Sequence, residues 1–207
     1  MPNHCNNEIQ IKFANEEDAA RFMRKVNVSG EGSIARAFRP MPAILDGTQS
    51  PTPEGEFDPN GRFQAFVDDP DNEHWDAEVY AQHKADHAEK VRRSADALAE
   101  TGFSNWYDWA STNWGTKWGD YDTDLSKHNE FVSGHFTTAW GPLCEDFWEY
   151  VSTCYPDAQI LVTYDEPGMG FEGAASFYNG QCVYSEEQDR SDLANRAEYA
   201  LEEAAAG

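Results

Sequence analysis

The chain has 207 residues, 40% of them hydrophobic and 14% aromatic, enough for one domain-sized core and too much for global disorder. Its net charge of −23 repels a phosphate backbone and excludes general nucleic-acid binding. No apolar run approaches the roughly 18 residues a transmembrane helix needs.

The opening MPNHCNNEIQIKF lacks the basic and apolar regions of a secretory signal, which points to a cytosolic compartment. There Cys5, Cys144, Cys154 and Cys182 stay reduced; no C-x-x-C pair suggests a zinc or redox site. The charge is uneven. Residues 1–40 hold six Lys/Arg against five Asp/Glu, a balance of +1, so the rest carries −24. Salt-adapted solvation, DNA mimicry and attraction to a cationic partner all fit that acidity.

Glu8 to Phe13 alternates polar and apolar, predicting a strand with Ile9, Ile11 and Phe13 inward. Asn15 is a candidate N-cap with Asp18 three residues on. The helix behind it gathers Ala19, Phe22, Met23 and Val26 on one face and exposes Arg21, Arg24 and Lys25 on the other. Residues 27–62, broken by Pro40, Pro42, Pro51, Pro53 and Pro59, read as a surface insertion. A short strand is expected near 63–67.

A long helix is predicted from about Glu73 to Ala99, ended by Gly102, with a stripe of Tyr80, His87, Val91 and Leu98 and with Trp75 and Val79 extending it. Phe103 to Asp124 is expected to form a short helical turn and a loop holding four of the seven tryptophans. Glu130 to Trp140 reads as a strand. Pro142 then starts a helix with Leu143, Phe147, Tyr150, Val151 and Cys154 on its apolar face. Ile160, Val162 and Tyr164 alternate; after the DEPGMG turn Phe171 to Phe177 alternates again. Asn179-Gly180 signals a type I′ hairpin leading to Gln181–Ser185. A terminal helix over 189–205 places Leu193, Ala197 and Leu201 inward. This order predicts an α+β sandwich, with helices on one face of an antiparallel sheet.

Four strings carry a resemblance. They are M-P-N-x-C-x-N at the start (Met1, Pro2, Asn3, Cys5, Asn7), N-W-G-T-K-W (Asn113 to Trp118), F-x-T-A-W-x-P (Phe136 to Pro142) and Y-x-E-P-G-x-x-F-x-G (Tyr164 to Gly173). In that order they resemble the YubB ferredoxin-like domain family of plasmids and phages. The resemblance covers the first strand and helix and residues 105–185. It implies a ferredoxin-like split β-α-β fold without an iron–sulfur cluster, and a mobile-element origin with action in host cytoplasm. It supplies no reaction. Relatives carry Trp where this chain has His4. The whole is expected to be a single ferredoxin-like domain, 1–207, with 27–104 a loop-plus-helix insertion and 186–207 an acidic terminal helix.

The candidate chemistry is sparse. His83 and His87, four apart on a helix, could share a metal, but H-E-x-x-H is absent and a packed pair is the plainer account. Asp120, Asp122 and Asp124 resemble the start of a calcium loop, but Leu125 and Phe131 stand where its Gly and bidentate Glu belong. No nucleophile elbow or phosphate-binding loop appears, and Gly168–Gly173 fits a hairpin with a bulge. No cofactor is expected. Trp106, Trp109, Trp140 and Trp148 suit a core between sheet and helices.

The second reading of the tryptophans is a binding surface of Trp114, Gly115, Thr116, Lys117, Trp118 and Trp140. Lys117, the only cation between Arg93 and Lys127, would stand among aromatic faces as a cation–π staple or a ligand platform. The expected function is a non-enzymatic acidic binding protein engaging a host or defence protein, or a small ligand. A DNA-mimic inhibitor, and an enzyme acting on a nucleotide or protein modification, stand beside it as alternatives.

Overall fold

The computed structural model describes residues 3–27, 32–54, 77–187 and 190–206. The chain divides into two compact units, Met1–Pro40 with Ala110–Gly207, and Met41–Trp109.

In the first unit the elements run β1 (His4–Lys12), α1 (Glu16–Val26), α2 (Ile34–Phe38), β2 (Tyr121–His128), β3 (Phe131–Ala139), α5 (Glu145–Cys154), β4 (Gln159–Glu166), β5 (Phe171–Tyr178), β6 (Gln181–Glu187) and α6 (Arg190–Ala206). Among the described residues, six strands form one antiparallel sheet in the order β2-β3-β1-β4-β5-β6. The first four strands, with α1 and α5, make the split β-α-β pattern β-α-β-β-α-β. The β5–β6 hairpin extends it. At that hairpin Asn179 and Gly180 both take positive φ (49° and 78°), as a type I′ turn requires.

Strand β1 alternates strictly, with Cys5, Asn7, Ile9 and Ile11 buried and the residues between them exposed. Its buried side faces α1 and α5. There Phe22, Phe136, Phe147, Trp148, Ile160 and Phe177 are fully buried, at roughly 1.5–3 kcal/mol for each large apolar side chain. Phe13, Phe22, Phe38 and Tyr155 form an aromatic cluster with neighbouring centroids 5.1–6.2 Å apart. Helix α1 starts as its sequence requires: Asn15 Oδ1 accepts from the Asp18 amide (2.9 Å). The expected basic face is exposed, with Arg21 resting over the Tyr155 ring (4.8 Å) and Lys25 over that of Phe38 (5.0 Å).

The terminal helix lies against the other side of the sheet. Its Ala197 and Leu201 pack with Leu161 and Ala174, which point away from the α1/α5 core by strand alternation.

Sequence expectations change in this unit: residues 34–38, read as part of a surface insertion, form α2 with Ile34, Ala35 and Phe38 buried. Tyr121–His128 is a strand, where a loop was expected. It is a half-buried edge strand with a bulge between Tyr121 and Asp124, and the polar Thr123 and Lys127 at its inward positions hide the alternation. Helix α5 begins at Glu145 rather than Pro142, since the Cys144 carbonyl accepts the first amides, from Phe147 and Trp148.

The second unit contains a 3₁₀ turn (Ala43–Leu45), α3 (Ala77–Thr101) and the start of α4 (Trp106–Asn113). Helix α3 ends at Gly102, at φ 80°. Among its described side chains Ser94 and Ala97 are buried and Val79, His87 and Val91 half-buried, while Leu98 is 52% exposed, so the expected stripe fails at Leu98; the Tyr80 side chain lies outside the described residues. Asn105 caps α4 through Asp108 N (2.9 Å), and the Trp106 amide donates to Thr48 Oγ1 (2.9 Å). The strand expected near 63–67, the start of the long helix and Trp75 lie outside the described residues. No helix among the described residues is long and apolar enough to cross a membrane.

Candidate functional site

The four strings noted in the sequence meet at one end of the sheet. Cys5 pairs with Thr138 and Asn7 with both Phe136 and Tyr164. Buried Asn7 donates through Nδ2 to Cys5 O (2.9 Å) and Thr138 Oγ1 (2.9 Å), and Thr138 Oγ1 donates to Gly141 O (2.7 Å). Trp140 N donates to Asn3 O (3.0 Å). The fully buried Glu166 carboxylate holds the next turn by accepting from the Gly168 and Met169 amides. An asparagine in register with Ile9 and Ile11 was a readable sign of such an internal polar network.

The candidate binding residues divide into a base and a display. The base is buried. Trp114 is 3% exposed and its indole Nε1 donates to Arg39 O (2.9 Å). Thr116, also 3% exposed, donates through Oγ1 to Ala139 O (2.8 Å) and accepts from Ala139 N (3.1 Å). Gly115 sits at φ 78°, and a Cβ there would lie 2.7 Å from Cys144 Cβ and 2.8 Å from Cys144 N. Only glycine fits both the backbone and the gap. The Cys144 amide donates to Trp114 O (2.9 Å), tying the loop to the start of α5. Arg39 reinforces the seam. It bonds Asn113 O (3.2 Å) and Asp146 (2.6 Å) while lying over the Tyr150 ring (5.0 Å).

The display is Lys117 between two surface indoles. Its Nζ lies 4.7 Å from the Trp118 ring centroid and 5.2 Å from that of Trp140. Trp118 is 38% exposed and Trp140 44%. Trp140 adopts φ 70° at the end of β3, which swings its side chain out of the strand alternation. The structure therefore corrects two expectations. Trp114 and Thr116 hold the loop instead of facing a partner, and Trp140 is a surface residue instead of core filling. Trp148 (1%) is core; Trp106 and Trp109 belong to the second unit.

Other candidates resolve differently. Asp120, read as a possible cation contact, is 5% exposed and accepts from Ser33 Oγ, Ile34 N, Ala35 N and Thr123 Oγ1 at 2.7–2.8 Å. It is the anchor for the start of α2. His83 is exposed and His87 half-buried on α3. Among the described residues no group of three or more His, Cys, Asp or Glu is placed to hold a metal. His4 Nδ1 lies 2.7 Å from the Tyr121 hydroxyl at the edge of the open sheet face. The four cysteines are free, and burial pushes the Cys5 thiol up to about 12.

Strand order and motif convergence together define the type of domain. Residues 113–206 match the family model of the ferredoxin-like domain in Api92-like proteins. That segment of the ferredoxin-like domain runs from the indole loop through β2 to α6. In a crystal structure, the protein Api92 from Yersinia pseudotuberculosis aligns with 91% of this chain and 99% of its own, at a TM-score of 0.52 and 14% identity. At that identity the likeness concerns the fold. No curated protein matches the chain.

Proposed function

We propose that this ferredoxin-like protein is a non-enzymatic binding protein that engages a basic host or defence protein through Trp118, Lys117 and Trp140. The observation that carries the reading is the pair of half-exposed indoles clasping Lys117 on a loop whose base is immobilised. Tryptophans fixed in advance lose little conformational freedom on association and are the residue type most often found at energetic centres of interfaces. Lys117 lies against both rings, which a partner would meet together. The chain's net charge of −23 favours partners with a basic surface, raising association rate more than affinity.

The resemblance to the YubB family at four motifs supports a mobile-element origin, with the protein acting in host cytoplasm. Those motifs build the end of the sheet that carries the indole pair.

The test is quantitative affinity purification from host cells with the full chain, comparing parent, Trp118→Ala, Trp140→Ala and a surface Glu→Gln control. A partner retained by the parent and the control but depleted at least tenfold by each Trp variant supports the reading. Equal retention by all four chains refutes it.

A further inference from the structure

Two features of the indole pair go beyond a simple contact patch. The first is the backbone beneath it. Trp140 has a φ of 70°, a left-handed conformation that a bulky side chain enters only where the surrounding structure imposes it. Here Trp140 N donates to Asn3 O (3.0 Å), and the O of the next residue, Gly141, accepts from Thr138 Oγ1 (2.7 Å). The strained residue between these bonds carries its indole to the side of Lys117. The loop is fixed on both sides of Trp118. Before it, Gly115 fits against Cys144 and Thr116 bonds Ala139; after it, Gly119 takes φ 73°, where a Cβ would stand 3.0 Å from Ala35 Cβ and 3.3 Å from the Trp114 ring. None of these bonds and contacts involves the Lys117 ammonium.

The second feature is distance. A nitrogen in van der Waals contact with a ring face stands about 3.5 Å from it. Lys117 Nζ is instead 4.7 Å from the Trp118 centroid and 5.2 Å from that of Trp140. The surplus on each side is roughly the length of one N–C bond, about 1.5 Å. Methyl groups on the nitrogen would fill it against both rings. Charge sorts the ligand further, since a net charge of −23 disfavours anions and concentrates cations at the surface. Tryptophan is the strongest cation–π ring, and a quaternary ammonium gains more from it than the strongly hydrated ammonium of lysine. With the rings 38% and 44% exposed, the flexible four-carbon stem of Lys117 can swing its charge into water.

We infer that Trp118 and Trp140 form a two-walled cage for a quaternary ammonium, that of a trimethylated lysine on the partner protein, with Lys117 as the resident cation it displaces. The inference rests on the reading of this surface as a protein-binding one and names the group the surface takes.

The experiment is a titration of the full-length, ¹⁵N-labelled protein with a short peptide bearing a trimethyl-lysine, following the indole Nε1–H cross-peaks. Trp118→Phe and Trp140→Phe assign the two relevant peaks. Control peptides carry plain lysine or the uncharged tert-butyl isostere at the same position. The trimethylated peptide is expected to shift both peaks saturably at submillimolar concentration, with each control bound about fivefold more weakly. Lys117→Ser empties the cage and tightens binding of the trimethylated peptide about threefold, whereas Trp118→Ala weakens it about tenfold. Equal binding by either control overturns the inference, as does weaker binding in Lys117→Ser or an absence of shifts at millimolar peptide. Choline bound as tightly as the trimethylated peptide overturns the assignment to a protein ligand. The titration needs no host partner, so its failure is separable from that of the protein-binding reading. Trp-dependent capture from host cells together with equal binding of the peptides keeps the surface and removes the cage.

Discussion

Replacing Asp120 by asparagine removes one oxygen and one charge from a side chain that is 5% exposed. Each carboxylate oxygen serves two donors: Oδ1 takes Ser33 Oγ (2.8 Å) and Ala35 N (2.7 Å), and Oδ2 takes Ile34 N (2.8 Å) and Thr123 Oγ1 (2.7 Å). Asparagine has one acceptor oxygen, so whichever way it turns, its NH₂ faces a backbone amide that cannot rotate away. Two charge-assisted bonds are lost, at about 1.5–3 kcal/mol each, and the two that remain weaken. The expected destabilisation is about 4 kcal/mol, or a fall of about 10 °C in Tm at the 2–4 °C per kcal/mol usual for a chain this size. Urea unfolding followed by tryptophan fluorescence and near-ultraviolet circular dichroism measures it. Thr123→Val, which removes one of the four donors, should cost about 1–2 kcal/mol. A loss below about 1 kcal/mol for Asp120→Asn would show that Asp120 does not anchor α2 in solution.

Gly115→Ala should destabilise by about 3 kcal/mol, since the left-handed backbone alone costs roughly 1–2 kcal/mol and the added methyl collides with Cys144. It should also weaken partner capture without touching either displayed indole; unchanged thermal stability would count against the tight seam. Lys117→Met should cost only about 0.5–1 kcal/mol, as expected for an exposed cation–π contact, and a larger loss in denaturant titration would mean a deeper structural role.

Alkali should destabilise the fold. Burial raises Cys5 and Tyr164 to about 12 and Cys182 to about 11, so the native state retains protons that the unfolded chain releases. Stability is therefore full below the usual thiol range and falls as pH rises from about 8.5 toward 12. The urea midpoint should decline across pH 8.5–10.5, and Cys5→Ala should flatten the decline. A midpoint constant with pH would refute the assignment.

Local regularity made much of the architecture legible from the sequence. The strict alternation of β1, the Asn15 cap, the Asn179-Gly180 turn and the Phe147/Val151 face each act over a few residues, where side-chain period and backbone preference suffice. Strand β2 escaped because an edge strand is only half-buried and Thr123 and Lys127 take two of its inward positions, so no apolar alternation marks it. The end of the stripe on α3 was missed because the small residues Ser94 and Ala97, and not Leu98, take the buried positions. The motif strings converge at one end of the sheet, but they could not say which residues face inward.

That decision belongs to tertiary structure. Trp114 and Trp118 are near neighbours of identical chemistry, yet one is sealed by a bond to Arg39 O and the other is displayed. The difference comes from Gly115 fitting against Cys144 and from Thr116 pairing with Ala139 across the end of the sheet. The chain's own order set the strands and helices, through forces acting between near neighbours. Which indoles became structure and which became surface was set by contacts between segments far apart in the chain.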